Sequence, residues 1–335
     1  MEPTNQKQPA FRNYHVVAEQ AGLALIAALR QFLPGQSWSA VRRLVHHRHV
    51  EINGNLSVDE GRKLRLSDVV KVWRDPRSAA PRDDDVTIRY QDAHLVVVEK
   101  PAGVTTLRHS EERSWSPRRR QLQPTLDEMV RRILARKSPP KPRGRAGKRG
   151  YGPRVRAVHR LDRDTSGLMV FALSAEAERR LVQMFRKHTV RRVYQALVQG
   201  RVETRTFTSD FVPDRGDGRR GSTPLAGVGK HAVTHVRPLE YFDGYSLLEC
   251  RLETGRTHQI RIHLAEAGHP VCGEKVYHQP LFAPPRPDHS GAERQALHAA
   301  ELGFDHPITG VPLHFEMRLP PEFARLIVRL RGKGP

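Results

Sequence analysis

The 335-residue sequence predicts an α+β fold in two parts, and three observations carry that reading. Apolar residues recur at helical spacing in several segments, and short apolar runs bounded by turn residues alternate with them. A stretch of Pro, Ala and charge, DPRSAAPRDDD at residues 75–85, reads as a linker between a small α/β unit at 16–74 and a large one at 86–331.

In the small unit, VVAEQAGLALIAALRQFL predicts a helix that stops at Pro34-Gly35. Ser39 is the expected cap of a second helix through SAVRRLVHHRH, in which Val41, Leu44 and Val45 share a face. The other face carries Arg42, Arg43, His46, His47 and Arg48. VEINGNLSV sets Asn53-Gly54 between two strand-like segments, a strong hairpin signal, and LSDVVKVW supplies another strand.

The large unit opens with VTIRYQDAHLVVVEKPAGV, two strands joined at Gln91-Asp92 and ended by Lys100-Pro101. Residues Thr125 to Glu128 form a capping box for a helix with Leu126, Met129, Val130 and Ile133 on one side. LMVFAL, after Gly167, reads as a buried strand, and Ser174 caps a helix whose Ala177, Leu181, Met184 and Phe185 face inward. VRRVYQALVQG, residues 190–200, is a further strand. The segment 248–270, LECRLETGRTHQIRIHLAEAGHP, runs from a strand into a helix capped by Thr257 and stopped by Gly268, with Ile260, Leu264 and Ala267 inward.

Composition narrows the partners. The chain carries 57 Lys and Arg against 36 Asp and Glu, a net charge of +21, which favours a polyanion: nucleic acid or an acidic membrane surface. No run of 18 apolar residues exists and the N-terminus has no signal-peptide core, so no membrane partner is expected. Two cysteines, Cys250 and Cys272, form no disulfide framework and fit a reducing cytoplasm. Residues 108–150 hold 14 Lys or Arg against 4 acidic residues. The flanks of the helix inside that stretch are too rich in Pro, Gly and charge to fold alone, so it reads as a basic, partly disordered insertion.

The chemistry concentrates in HRLDRDTSGL. His159, Arg160, Asp162, Arg163 and Asp164 stand immediately before a strand, which makes them a loop carried by a rigid element. Asp162 among arginines has its ionised form favoured and can act as nucleophile or base. A surface turn, with Asp162 and Asp164 bonding backbone groups, is the competing reading. Arg256 and Arg261 bracket a helix start, a combination that suits a phosphate or a buried carboxylate. Tyr194 alone on its strand is more often packing than chemistry. The group His258, His263, His269, Cys272 and His278 raises a metal-dependent hydrolase, but His258 and His263 are five apart rather than four, and no metal site is expected.

Two resemblances sharpen this. The helix pair, the basic face and the hairpin of residues 16–74 resemble the small RNA-binding domain shared by a ribosomal small-subunit protein, tyrosyl-tRNA synthetases and many RNA-modifying enzymes. DAHLVVVEKPAGV, HRLDRDTSGL, RVYQALVQG, LETGRTHQIRIHLAEAGHPVCGEKVY and LHAAELGFDHPITG resemble, in order, the motifs of RluA-type pseudouridine synthases over residues 86 to 321. The second resemblance implies a mixed, largely antiparallel sheet around a central RNA-binding cleft, and isomerisation of uridine in structured RNA without a cofactor. By position, Asp162 resembles the nucleophilic aspartate, Tyr194 the ring that stacks on the uracil, and Arg160 the residue that holds the nucleotide out of its stack. Arg261 resembles the arginine paired with the aspartate, with Arg256 close enough to exchange roles. His159, Arg256, His258 and Gln259 lie in the same motifs and are expected at the substrate; Arg42, Arg43 and Arg48 are expected to contact RNA. Ribosomal RNA is favoured over transfer RNA, and the protein is expected to be monomeric. Glu274, where many members carry Asp, and His278, where Gly is common, are read as scaffold.

Overall fold

The computed structural model describes residues 11–53, 55–74, 76, 82–108, 112, 114–115, 120–121, 123–137, 154–225, 227–278, 284 and 287–332. The chain divides into two units, residues 1–80 with 110–124 and residues 81–109 with 125–335. Most of the basic flanks of the expected insertion, 116–119 and 138–150 among them, lie outside the described residues, as do 75 and 77–81 of the linker.

The first unit is a four-stranded sheet in the order β1-β4-β2-β3, with β1 at Phe11–His15, β2 at Val50–Ile52, β3 at Asn55–Leu56 and β4 at Val69–Trp73. Two helices, α1 (Leu25–Phe32) and α2 (Trp38–His46), pack on it. Three details differ from the sequence reading. FRNYH, before residue 16, is a strand held by antiparallel pairing to β4, a long-range partner that no local pattern announces. The first helix starts at Leu25 because Gly22, at φ +84°, breaks the run before it. Ser37, not Ser39, caps α2, its Oγ accepting from the Ala40 N–H at 3.1 Å. The inward face is as expected: Val41 and Val45 are fully buried. Asn53 takes φ +52° between β2 and β3, the left-handed conformation a tight hairpin requires.

The second unit is built on an eleven-stranded sheet. It comprises β5 (Thr87–Gln91), β6 (Leu95–Lys100), β7 (Arg156–Ala157), β8 (Ser166–Ala172), β9 (Arg191–Gln199), β10 (Arg205–Val212), β11 (Gly221–Thr223), β12 (Lys230–Phe242), β13 (Tyr245–Leu252), β14 (Leu297–Asp305) and β15 (Pro312–Glu316). The order is β11-β10-β12-β13-β9-β14-β8-β6-β5, with β15 on β14 and β7 on β8. Among these named strands only β8 and β14 run parallel, so the sheet is largely antiparallel. The helices are α3 (Leu126–Lys137), α4 (Ala175–Arg186), α5 (Gln259–Glu266) and α6 (Pro321–Arg331).

The apolar run of β8 has a physical reason. Met169 and Phe171 pack with Leu126, Met129 and Val130 of α3 on one face, while Leu168, Val170 and Ala172 meet Ala177 and Leu181 of α4 on the other. A strand covered on both faces shows no polar alternation. The N-terminal end of β8 is fixed against β14: Gly167 stands at φ +127°, and a Cβ there would lie 2.3 Å from the Ala299 carbonyl oxygen. Only glycine permits that approach.

The loop before β8 is tied to the end of β6 by one side chain. Lys100 is fully buried, and its Nζ donates to the carbonyls of Pro101 at 3.0 Å, Arg163 at 2.9 Å and Thr165 at 2.7 Å. Burial pulls its pKa down to about 7, with Asp164 and Asp162 opposing; three acceptors call for three N–H donors, which only the ammonium has. Lys100→Met leaves those carbonyls without their donor at about 1–3 kcal/mol each. The variant is expected to lose at least about 3 kcal/mol in urea unfolding, through a lower midpoint at unchanged slope. An unchanged midpoint would show that the ammonium does not hold the loop.

Candidate active site

The loop before β8, strand β9 and the start of α5 surround a cavity of about 530 Å³. Its walls include Arg160, Asp162, Arg192, Tyr194, Arg256, His258 and Arg261, with Phe185, Leu252 and Leu297 as apolar lining. Residues far apart in sequence meet here because β9 is adjacent to β14 and β14 to β8.

The helix start is not capped as the sequence indicates. α5 begins at Gln259, and its N-cap position is His258 at φ +61°, with no side-chain cap; Thr257 does not serve. Gln259 organises the turn instead. Its Oε1 accepts from the Arg256 N–H at 2.9 Å and the Thr254 hydroxyl at 2.7 Å, and its Nε2 donates to Val233 O and Thr234 Oγ1, both at 2.9 Å. With its amide fully engaged and 3% exposed, Gln259 shapes the loop and has no group left for a substrate, contrary to the expectation.

Arg261 sits between two carboxylates. Its Nη1 donates to Asp162 Oδ2 at 2.8 Å, while Nε and Nη2 donate to Glu274 Oε2 and Oε1 at 2.6 and 2.7 Å. Glu274 is thus the orienting partner of Arg261, a correction to its reading as mere scaffold. Its side chain is 2% exposed, and it also accepts from the N–H groups of Lys275 and Val276. Burial raises the Glu274 pKa, but Arg261 and these N–H groups more than offset it, so the carboxylate is held below its ordinary range. Arg256 is pinned elsewhere, Nε donating to His231 O at 2.7 Å, so the pairing with Asp162 belongs to Arg261.

Burial likewise raises the Asp162 pKa, and the charges of His258 and Arg261, with the Arg261 hydrogen bond, outweigh it, leaving the carboxyl below the usual carboxylate range. His258 Nε2 lies 3.7 Å from Asp162 Oδ1, and its Nδ1 is 2.8 Å from the Tyr277 hydroxyl. Burial also pushes the His258 imidazolium below its ordinary value, so at neutral pH Arg261 is the partner that keeps its charge. Tyr277 lies under Arg261, whose guanidinium carbon is 5.1 Å from the ring centroid, and burial pushes its phenol up to about 12.

Tyr194 is 7% exposed on β9 and stays a neutral phenol, its pKa raised by burial. His159 is neutral for the same reason, pulled down to about 3; its Nε2 accepts from the Val170 N–H at 3.1 Å and its ring stacks on Phe185 at 4.5 Å. It lines the cavity as a fixed acceptor in the wall. Arg160 is exposed at the rim. The metal-like cluster disperses: His263 bonds Ser209 and Thr234, His269 bonds Gln199 O, and both cysteines are buried thiols. Among the described residues no three His, Cys, Asp or Glu side chains group as ligands. Sequence reasoning missed Tyr277, Lys100 and Arg192. Arg192 alone had a local signal, since it stands two residues from Tyr194 on a strand and so shares its face. The arrangement offers one ionised carboxylate, a neutral aromatic ring and several cations around a cavity of about 530 Å³.

Comparison with known proteins agrees with this chemistry. The family described as RNA pseudouridylate synthase matches residues 94–266. Ribosomal large subunit pseudouridine synthase D of Nitrosomonas europaea is 34% identical over 327 residues, covering 93% of this chain and 86% of that protein. The protein of that name from Escherichia coli K12 is 31% identical over 330 residues, covering 95% and 93%. Among solved structures, human RNA Pseudouridylate Synthase Domain Containing 4 shares the fold at a TM-score of 0.54 and 22% identity, covering 73% of this chain and 92% of that one. The family match over half of the chain and relatives aligned over nearly all of it show that this chain belongs to the RNA pseudouridylate synthase family.

Proposed function

We propose that this enzyme isomerises uridines in large-subunit ribosomal RNA, with Asp162 as nucleophile and the target base extruded onto Tyr194. The observation that carries the reading is the 2.8 Å bond between Arg261 and Asp162 inside the cavity that Tyr194 lines. The choice of RNA rests on the relatives, which are named for the ribosomal large subunit. The enzyme meets ribosomal RNA in the cytoplasm and acts as a monomer. No helix among the described residues is long and apolar enough to cross a membrane.

The reaction breaks the N1–C1′ bond, turns the uracil and joins C5 to C1′; a proton leaves C5 and one is gained at N1. A carboxylate that stays ionised in a cavity can attack the sugar while the base turns. Asp162 has that property because the charges of His258 and Arg261, with the Arg261 hydrogen bond, hold it below the ordinary range. Extrusion costs a few kcal/mol of unstacking, and a stack on an aromatic ring returns about 1–3 kcal/mol. Tyr194 supplies the ring, Arg160 at the rim holds the nucleotide out, and His258 and Arg256 flank it.

Residues 16–74 act as an RNA-anchoring domain, joined by the linker 75–85 to the catalytic domain at 86–331. Arg43 lines a groove with Phe11, Arg12, His47 and Trp73 in that unit, whereas Arg42 is ion-paired with Glu60 at 2.7 Å. Arg48 follows α2 at φ +69° rather than lying on its face. The basic insertion at 108–150 adds phosphate contacts and makes affinity steeply dependent on salt.

Asp162→Asn keeps the shape and removes the charge. Pseudouridine formation on unmodified ribosomal RNA is expected to vanish, while RNA affinity stays within about tenfold. Substantial residual product from the pure variant contradicts the nucleophile assignment, and release of free uracil by the wild type points to glycoside hydrolysis instead.

Tyr194→Ala is expected to weaken binding of structured RNA by about 1–3 kcal/mol, and Tyr194→Phe much less, since stacking needs only the ring. Equal affinity of the Ala variant and wild type in a filter-binding titration would return Tyr194 to the core.

A further inference from the structure

Arg192 takes no part in the reading above, yet it is a buried cation of the cavity with an unpartnered Nε and no counterion among the described residues. It stands two residues before Tyr194 on β9, so strand alternation turns both side chains to the same face, and both line the cavity. Arg192 is 8% exposed. Its Nη2 donates to the carbonyls of Glu253 at 2.9 Å and Leu252 at 3.4 Å, and its guanidinium carbon lies 5.6 Å from the centroid of Phe185. The buried Nε has no hydrogen-bond partner, and among the described residues no carboxylate pairs with the group. Arg261, in the same cavity, has two. A guanidinium keeps its charge in a protein, so a buried one without a counterion is costly unless something else supplies the anion.

Gly255 points the same way. Its backbone is not in the left-handed region, so conformation alone does not require glycine. A Cβ built there would lie 2.7 Å from Arg192 Nη1 and would crowd the guanidinium out of its position. The missing side chain thus leaves room for one edge of a planar, forked donor.

The surroundings select the class of ligand. The cavity is lined by Arg160, Arg186, Arg192, Arg256 and Arg261, against the single carboxylate of Asp162, which Arg261 already engages. With Nη2 taken by the two carbonyls and Nε buried, Nη1 is the donor left for an oxyanion, and a nucleotide brings a phosphate. Residues two apart on a strand are spaced by about 7 Å, comparable to the reach from a nucleobase to its own phosphate. We propose that Arg192 is a specificity residue that grips the phosphate of the extruded nucleotide, and that Gly255 is kept bare to admit its guanidinium. This rests on Tyr194 as the platform for the base.

The test uses the full-length protein and three probes: uridine, uridine 5′-monophosphate and uridine 3′-monophosphate, each titrated calorimetrically at low salt. One of the two monophosphates is expected to bind wild type about tenfold more tightly than uridine, the size of a charge-assisted pair. In Arg192→Met that advantage falls below about twofold with uridine affinity unchanged. Gly255→Ala, which keeps the guanidinium but displaces it, is expected to reduce the advantage in the same direction and serves if Arg192→Met does not fold. A wild type that prefers neither monophosphate, or a preference that survives both substitutions, overturns the proposal. Failure of the underlying reading has a separate signature: uridine itself then binds Tyr194→Ala as it binds wild type, whatever Arg192 does.

Discussion

One guanidinium shared between two buried carboxylates sets the geometry of this enzyme. Arg261 has a fork of three usable directions. Glu274 takes two of them, which leaves Nη1 aimed at Asp162. A lysine could not do the same, because a single ammonium has no fixed plane with which to define one carboxylate by its bond to another. With the Asp162 side chain 17% exposed and Arg261 8%, these charges are largely out of water, and removing one partner alone leaves a buried charge at about 3–5 kcal/mol. Buried ion pairs on their own stabilise little, so stability alone does not account for the pair.

Much of the surrounding fold serves to bring the two ends of that pair together across 99 residues of sequence. Lys100 clamps the loop before β8 from the end of β6, and the glycine at 167 lets β8 and β14 touch. Gln259 does for the α5 turn what Lys100 does for the other loop, tying Thr254, Arg256 and β12 together through one amide. Each is a buried polar group with its hydrogen bonds complete, the condition under which such groups rigidify rather than destabilise. Neutral His159 and Tyr194 complete a wall in which Asp162 is the one anion facing the cavity.

The sequence disclosed what is local and periodic. The buried strand at 168–173, the Ser174 cap, the Asn53 hairpin turn and the helix that starts after Thr125 were all legible because each is decided within a few residues of itself. The errors were non-local. FRNYH becomes a strand only through β4, and Thr257 does not cap because Gln259, reaching across to β12, takes over the turn. At the site, Asp162 and Arg261 could be named from motif positions. Whether Arg256 or Arg261 met the aspartate was undecidable, since both flank one helix start and only the carbonyl of His231 separates their roles. Glu274 stood in plain view as an atypical residue, but its function depends on a guanidinium thirteen positions away whose direction no spacing rule supplies.

The central claim is that Arg261, with its charge and its hydrogen bond, helps hold the Asp162 carboxyl below its ordinary range against the upward push of burial. The direct measurement is a carbon-13 NMR titration of the Asp162 carboxyl in wild type and in an Arg261→Met/Glu274→Gln double variant, which removes the pair without stranding either charge. The wild-type carboxyl is expected to titrate below the ordinary aspartate value of about 3.9, and that of the double variant at a higher pH than wild type, with His258 and Arg160 still in place. The same midpoint in both proteins would contradict the account, because the ionisation of Asp162 would then owe nothing to the guanidinium around which the site is built.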